Sequence, residues 1–587
     1  ATPVTGGLRL DKAQKKLIVS LTNSLFNIQP AALDVGPTEA FCAAIAEAFL
    51  CFGLLDDSVT ALSQKLPKLF SAVVPILKSG NAKSAHAASE CLKKVLKGAL
   101  SEAFLNADLQ HIEREGTPER VQASTLHAIV VQLEQGLQVA YHDAWAEILQ
   151  IIAALFERLA LTTTTSLPRL VNLVDAQQRQ VAIHLVIEPI MNRVATLRGE
   201  TDQSLRKKTE PVLSHALQAI GVQNFLQRIP IGFPNPLTGD LEGQNLWLLT
   251  FFREHLSHAE IAFFYNEMLP STKILAAFAG QLTKNGREVG AKHLMLMHDQ
   301  IWAIFPRFCH SPRDLADAFP MIAETIGLTI ENAESSSSVR MDLLHGLTSL
   351  VTRTQASIEA ASKAVETFKE AHPEVGGTMD SDEITEAAEE LQLLQDRETL
   401  LRTDLEAIQP FCGNYLPLLF NVYVSRITPE LRNSVFACVE AFLTISDVDL
   451  INSFYTTVLS ALLTSAPAAG ASSSSEEADE QLHTMQCLTS LSVSFVPYLS
   501  TSNLSLLFKT IKPHLRRASL HAKPVDFTLQ KKSWKVLRAI CEFSSEFAIS
   551  HLADIQALLA YAEMVGTSKL LVVKAMTQLM NPEQMQA

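Results

Sequence analysis

The chain has 587 residues, 47% of them hydrophobic, with a net charge of −14 and an isoelectric point near 5.7. That is enough apolar surface for several domains or one long repeat array, and too little positive charge for a dedicated nucleic-acid module, so any RNA contact must come from a local patch. Gly (23) and Pro (25) are few for a protein of short strands and turns, while the helix formers Ala and Leu abound, which predicts an all-α protein.

The N-terminal lead-in, 1–36, begins with Ala rather than Met, as a processed or trimmed piece would, and has no apolar signal core. No run of about 18 apolar residues predicts a membrane span. From Pro37 the sequence is one apolar helical segment after another. PTEAFCAAIAEAFLCFGLL is predicted to start at Pro37 and stop near Gly53, the expected helix punctuation. SVTALSQKLPKLFSAVVPIL and NAKSAHAASECLKKVLKGAL form a pair. In the second, Ala85, Ala88, Cys91, Leu92, Val95 and Leu96 recur at three- and four-residue steps, with Lys83, Lys93, Lys94 and Lys97 opposite. Ser/Thr-Pro start signals recur at Thr117-Pro118, Ser311-Pro312 and Thr428-Pro429, the Ser311 site with Asp314 in a weak capping box. RVQASTLHAIVVQLEQGLQVA and HDAWAEILQIIAALFERLA make the next pair, and IHLVIEP at 183–189, the best strand signal, reads as helix.

The array is predicted to run over 37–372 and to end in a long helix at about Val339–His372. An acidic helical insertion at 373–408 follows, with eleven acids against two arginines between Glu374 and Glu406. Repeats resume at 409–466. ESSSS at 334–338 and the Ser-rich acidic stretch 467–480 read as breaks, the latter as a flexible loop. Further repeats fill 481–587. Helices of about 12–20 residues, paired at a spacing of about 35–45, predict an α-solenoid of HEAT- or armadillo-like hairpins forming a curved superhelix.

Chemistry is sparse. The eight cysteines are scattered among apolar neighbours with no C-x-x-C, which predicts core packing in a reduced compartment. Phosphate-loop, dinucleotide, zinc-protease and nucleophile-elbow motifs do not occur. His255-x-x-His258 lacks the further ligands that zinc requires. No catalytic, cofactor-binding or metal residue is assigned, and no cofactor, small-molecule substrate or membrane partner is expected. The strongest binding signal is a basic run at 509–538, with Lys509, Lys512, Arg516, Arg517, Lys523, Lys531, Lys532, Lys535 and Arg538 against a single acid, Asp526. Such a patch draws phosphate backbones or an acidic protein surface, although Lys stems also cover apolar surface on an ordinary solvated helix. Lys65, Lys68, Lys78, Lys83, Lys93, Lys94 and Lys97 form a weaker cluster, and Arg206-Lys207-Lys208 a shorter one.

The densest aromatic content lies between Phe225 and Leu328. Trp247, Phe251, Trp302, Phe305 and Phe308 are expected there as packing anchors rather than ligand platforms. The words AIGVQNFLQRIPIGF (219–233), LWLLTFFREHL (246–256), FFYNEMLP (263–270), QIWAIFPRFCHSPRDLADAF (300–319) and FCGNYLPLLFNVY (411–423) occur in an order that resembles the N-terminal half of the ribosomal RNA-processing protein 12 family. Where that family shows Arg-Asp-His after its Trp-Leu-Leu helix, this chain has Arg253-Glu254-His255. The resemblance is best over about 205–445, with its core at 205–330.

It implies a non-enzymatic HEAT-repeat scaffold of small-subunit ribosome assembly, acting in the processome (90S pre-ribosome) and pre-40S particles. The implied partners are pre-ribosomal RNA and assembly factors, the implied place is the nucleolus and nucleus with shuttling to the cytoplasm, and the implied roles include rRNA processing and nuclear export. The alternative reading is a karyopherin-like transport receptor or another HEAT-repeat adaptor, which would bind nucleoporins and a Ran-type GTPase.

Overall fold

The computed structural model describes residues 12–52, 55, 58–164, 173–200, 203–234, 244–372, 382–465, 475–515 and 524–562. All regular elements among the described residues are helical. They fall into two compact units, 1–300 with 361–398, and 301–360 with 399–587.

In the first unit the helices form two layers. Val35–Cys51, Ala82–Gly98, Trp145–Thr164 and Gln203–Arg228 pack in succession in one layer, and Ser58–Leu77, Thr125–Gly136 and Leu173–Glu200 in the other. The layers meet because each helix turns an apolar stripe inward. Leu62, Leu66, Leu69, Phe70 and Val73 are fully buried at three- and four-residue steps, as are Leu92, Val95 and Leu96 opposite them. A hairpin buries only part of its apolar face, and the next hairpin covers the rest, which is the logic of HEAT repeats. The segment 183–189 is helical, with Ile183, Val186, Ile187 and Ile190 buried at helical spacing.

The second unit repeats the plan. Pro429–Ile445, Ser475–Phe495 and Pro524–Phe543 stack in order, and Cys412–Val424, Val448–Thr464 and Thr501–Leu515 each pair with one of them. The Ser337–Ala371 helix meets the aromatic word 300–319 through a close approach. A Cβ on Gly346 would lie 2.8 Å from the Phe305 ring and 3.2 Å from Cys309 Sγ, so only glycine lets the elements touch.

Several predicted boundaries move. The first repeat helix begins at Val35, with Asp34 before it, rather than at Pro37, and Gly53 lies outside the described residues. The predicted 120–140 helix is broken at Ser124. Asp108 accepts Ser124 Oγ–H at 2.6 Å and the Thr125 and Leu126 amides at 3.0 and 3.1 Å, which caps a new helix at that point. Ser311-Pro312 does not start a helix. Ser311 turns left-handed (φ +57°), and the helix begins at Leu315 with its Ala316 amide bonded to Asp404 at 3.1 Å. Of the stretch expected as a loop at 467–480, Ser475–Glu480 belong to the Ser475–Phe495 helix, while 467–474 lie outside the described residues. ESSSS at 334–338 runs directly into the Ser337–Ala371 helix, and Ser336 Oγ accepts the Val339 amide at 3.2 Å.

Candidate nucleic-acid interface

The basic run occupies the Thr501–Leu515 and Pro524–Phe543 hairpin. Leu504, Leu507, Phe508 and Ile511 on the first helix, and Trp534, Leu537, Ile540 and Cys541 on the second, are buried and set which way the basic side chains point. Lys509, Lys531 and Lys535 are exposed, the last two one turn apart on one face. The other described cations have structural partners. Lys512 pairs with Asp554 at 2.9 Å and lies 5.8 Å from the Phe508 ring centre. Arg538 pairs with Glu542 at 3.3 Å. Lys532 is half-buried and donates to the Gln486 carbonyl at 3.0 Å; burial pushes its pKa down, with Arg432 and Lys535 adding to the fall. Arg516, Arg517 and Lys523 lie outside the described residues. Only part of the run is therefore a solvent-facing patch.

Stacking adds cations that the linear run does not contain. Arg432, on Pro429–Ile445, donates through Nη2 to the Ser425 carbonyl at 3.0 Å and stands 3.5 Å from His483 Nε2 on Ser475–Phe495. Burial lowers the His483 pKa, and Arg432 and Arg426 lower it further against two backbone acceptors. Arg432, His483 and Lys532 are 51 and 49 residues apart, one on each of three successive stacked helices. Exposed Arg426 flanks one end of this ladder and exposed Lys531 and Lys535 the other. The clue in the sequence was a basic residue recurring at a repeat of about 50, which a search for contiguous charge passes over.

Three of the seven lysines in the weaker cluster are ion-paired. Lys94 pairs with Glu47, Lys97 with Glu157 at 2.9 Å, and Lys93 with Glu90. Arg206, Lys207 and Lys208 are exposed. Among the aromatics, Phe251, Trp302, Phe305 and Phe308 are buried, while Trp247 is only half-buried. The Arg198 guanidinium lies 3.7 Å from the Trp247 ring centre, and Trp247 Nε1–H donates to Asn245 Oδ1 at 3.3 Å, so this indole meets a cation where an apolar core was expected. His255 packs on Phe251 at 4.8 Å, and no group of three metal-ligating side chains occurs among the described residues. Seven cysteines are buried and Cys51 is half-buried, all as free thiols. No helix among the described residues is long and apolar enough to cross a membrane.

A sequence model of the family described as ribosomal RNA-processing protein 12, HEAT repeats, matches residues 78–426 and so begins well before the words at 219. The human RRP12-like protein is 23% identical over 557 residues, covering 93% of this chain and 36% of its own length. Ribosomal RNA-processing protein 12 of Saccharomyces cerevisiae is 22% identical over 551 residues, covering 93% and 39%. The chain thus spans under two-fifths of the length of these relatives. Among solved structures, an importin-β crystal structure (12% identity, TM-score 0.25, covering 96% of this chain and 88% of that one) and the Kap95:Nup1 complex (12%, 0.32, 97% and 71%) overlap too loosely to carry more. The family match extends over more than half of the chain, which belongs to the ribosomal RNA-processing protein 12 family of HEAT-repeat proteins.

Proposed function

We propose that this chain is a non-enzymatic binding scaffold in assembly of the small ribosomal subunit, holding pre-ribosomal RNA against assembly factors in nucleolar and nuclear precursor particles and accompanying them toward export. Family membership across 78–426 carries the reading. Its mechanism is binding by an extended repeat surface. The RNA-facing surface is formed by exposed Arg426, Lys509, Lys531 and Lys535 around the half-buried ladder of Arg432, His483 and Lys532, and Arg516, Arg517 and Lys523 belong to the same basic run. Phosphates would be drawn there by counterion release without base readout.

Purification of the tagged chain from cells should recover pre-ribosomal RNA together with assembly factors, and recovery of neither would sink the proposal. For the ladder, Lys531→Glu with Lys535→Glu should weaken binding to a pre-ribosomal RNA fragment and flatten its log–log salt dependence by about two units. An unchanged slope would leave these lysines as a solvated face only.

A further inference from the structure

In the second unit a cleft of about 480 Å³ runs between the Leu315–Glu331 and Cys412–Val424 helices, with Phe411 at its end. Its floor is apolar for identifiable reasons. Gly327 has no side chain, and a Cβ there would already touch Leu418 Cδ1 at 3.6 Å. Tyr415 spends its hydroxyl on the Ala323 carbonyl at 2.7 Å and turns the rest of its ring toward the neighbouring helices. Leu418 and Phe411 complete the opposite wall, and both are half-exposed.

The exposed side of Leu315–Glu331 is patterned, and Glu324, Leu328 and Glu331 on it line the cleft. Met321 and Leu328, seven residues apart, are 45% and 60% exposed, far more than buried neighbours such as Ile322 and Ile326. Asp317, Glu324 and Glu331, also at seven-residue intervals, are all exposed. Seven residues are two helical turns, so both series run along one side of the helix. Neither wall helix contains a Lys or Arg, so these carboxylates have no cation on the groove walls. An apolar channel edged by one sign of charge at a two-turn repeat is the complement of a basic amphipathic helix, whose apolar residues would fill the groove while Lys or Arg flank them. Phosphate would be repelled from the same carboxylates.

We propose that this groove docks a helical segment of a partner protein with bulky apolar residues at seven-residue spacing flanked by Lys or Arg. It is a protein-binding face separate from the basic ladder, and it stands whether or not the ladder takes RNA.

The test uses the full 587-residue chain and three labelled 21-residue synthetic peptides: a Leu/Lys amphipathic helix, the same sequence with Glu for Lys, and a scramble of the first that removes its apolar face. Fluorescence anisotropy should give saturable binding of the Leu/Lys helix only. Charge reversal by Glu324→Lys with Glu331→Lys should weaken it by about tenfold or more, and Leu328→Ala by less. These positions are exposed, so the variants should melt like the parent, as read by circular dichroism. A photo-crosslinker at the peptide centre should attach within 315–331 or 411–418. Equal binding of the scramble or of the Glu peptide, unchanged affinity in the double reversal, or crosslinks mapping elsewhere would overturn the proposal.

Discussion

Single side chains decide how closely these helices approach and at what pH they are most stable. Gly346 is the clearest steric case, because the Phe305 ring fills the space where its side chain would be and is itself buried. Gly346→Ala should destabilise the chain by about 1–3 kcal/mol, seen as a lower urea midpoint with unchanged slope. Asp404 is the clearest electrostatic case. Burial, with Asp314 and Asp317 nearby, pushes its pKa up to about 6 from an ordinary 3.8, although the Ala316 amide pulls the other way. The folded chain therefore holds this proton more tightly than the unfolded chain. Stability contributed at this site falls as pH rises from about 4 to about 6 and stays low above that. Asp404→Asn keeps an acceptor for the Ala316 amide and removes the buried charge. It should stabilise the protein by about 1 kcal/mol at pH 7 and have little effect at pH 4, as measured by thermal melts across that range.

At the scale of helices, what the sequence made legible was periodicity, and what it concealed was capping from a distance. Apolar spacing located Ser58–Leu77, Ala82–Gly98 and Ser337–Ala371 closely, because each stripe is set by residues within the helix itself. The break at Ser124 and the start at Leu315 were hidden, because the carboxylates that fix them, Asp108 and Asp404, lie 16 and 88 residues away from the groups they bind. The Ser/Thr-Pro signal is similarly divided. Thr428 accepts the Leu431 amide at 3.3 Å, whereas Thr117 makes no side-chain cap bond. Thr428→Ala should therefore cost about 1 kcal/mol and Thr117→Ala clearly less. Equal losses in chemical denaturation would mean that the hydroxyl bond is not the source of the effect.

At the scale of the molecule, fold class and family were legible because buried positions and ordered aromatic words survive in one dimension. The candidate interface was only half legible. Lys531 and Lys535 were read as basic, but the run also included Lys512 and Arg538, which the fold commits to Asp554 and Glu542. Arg432 and His483 were missed because only stacking brings them beside Lys532. Charge neighbourhoods in an array are set by register between repeats, and sequence proximity is a poor guide to them.

The buried cysteines have a practical consequence. Cys438, Cys487 and Cys541 lie one on each of the three stacked helices Pro429–Ile445, Ser475–Phe495 and Pro524–Phe543, and each is 0% exposed. A thiol so enclosed reacts with an alkylating reagent only when its own hairpin opens. The native chain thus carries a reporter in each of these repeats, and mass spectrometry of alkylation over time can follow them separately. Matching rates would mean that the stack yields as one body; a graded series would give the order in which it unzips.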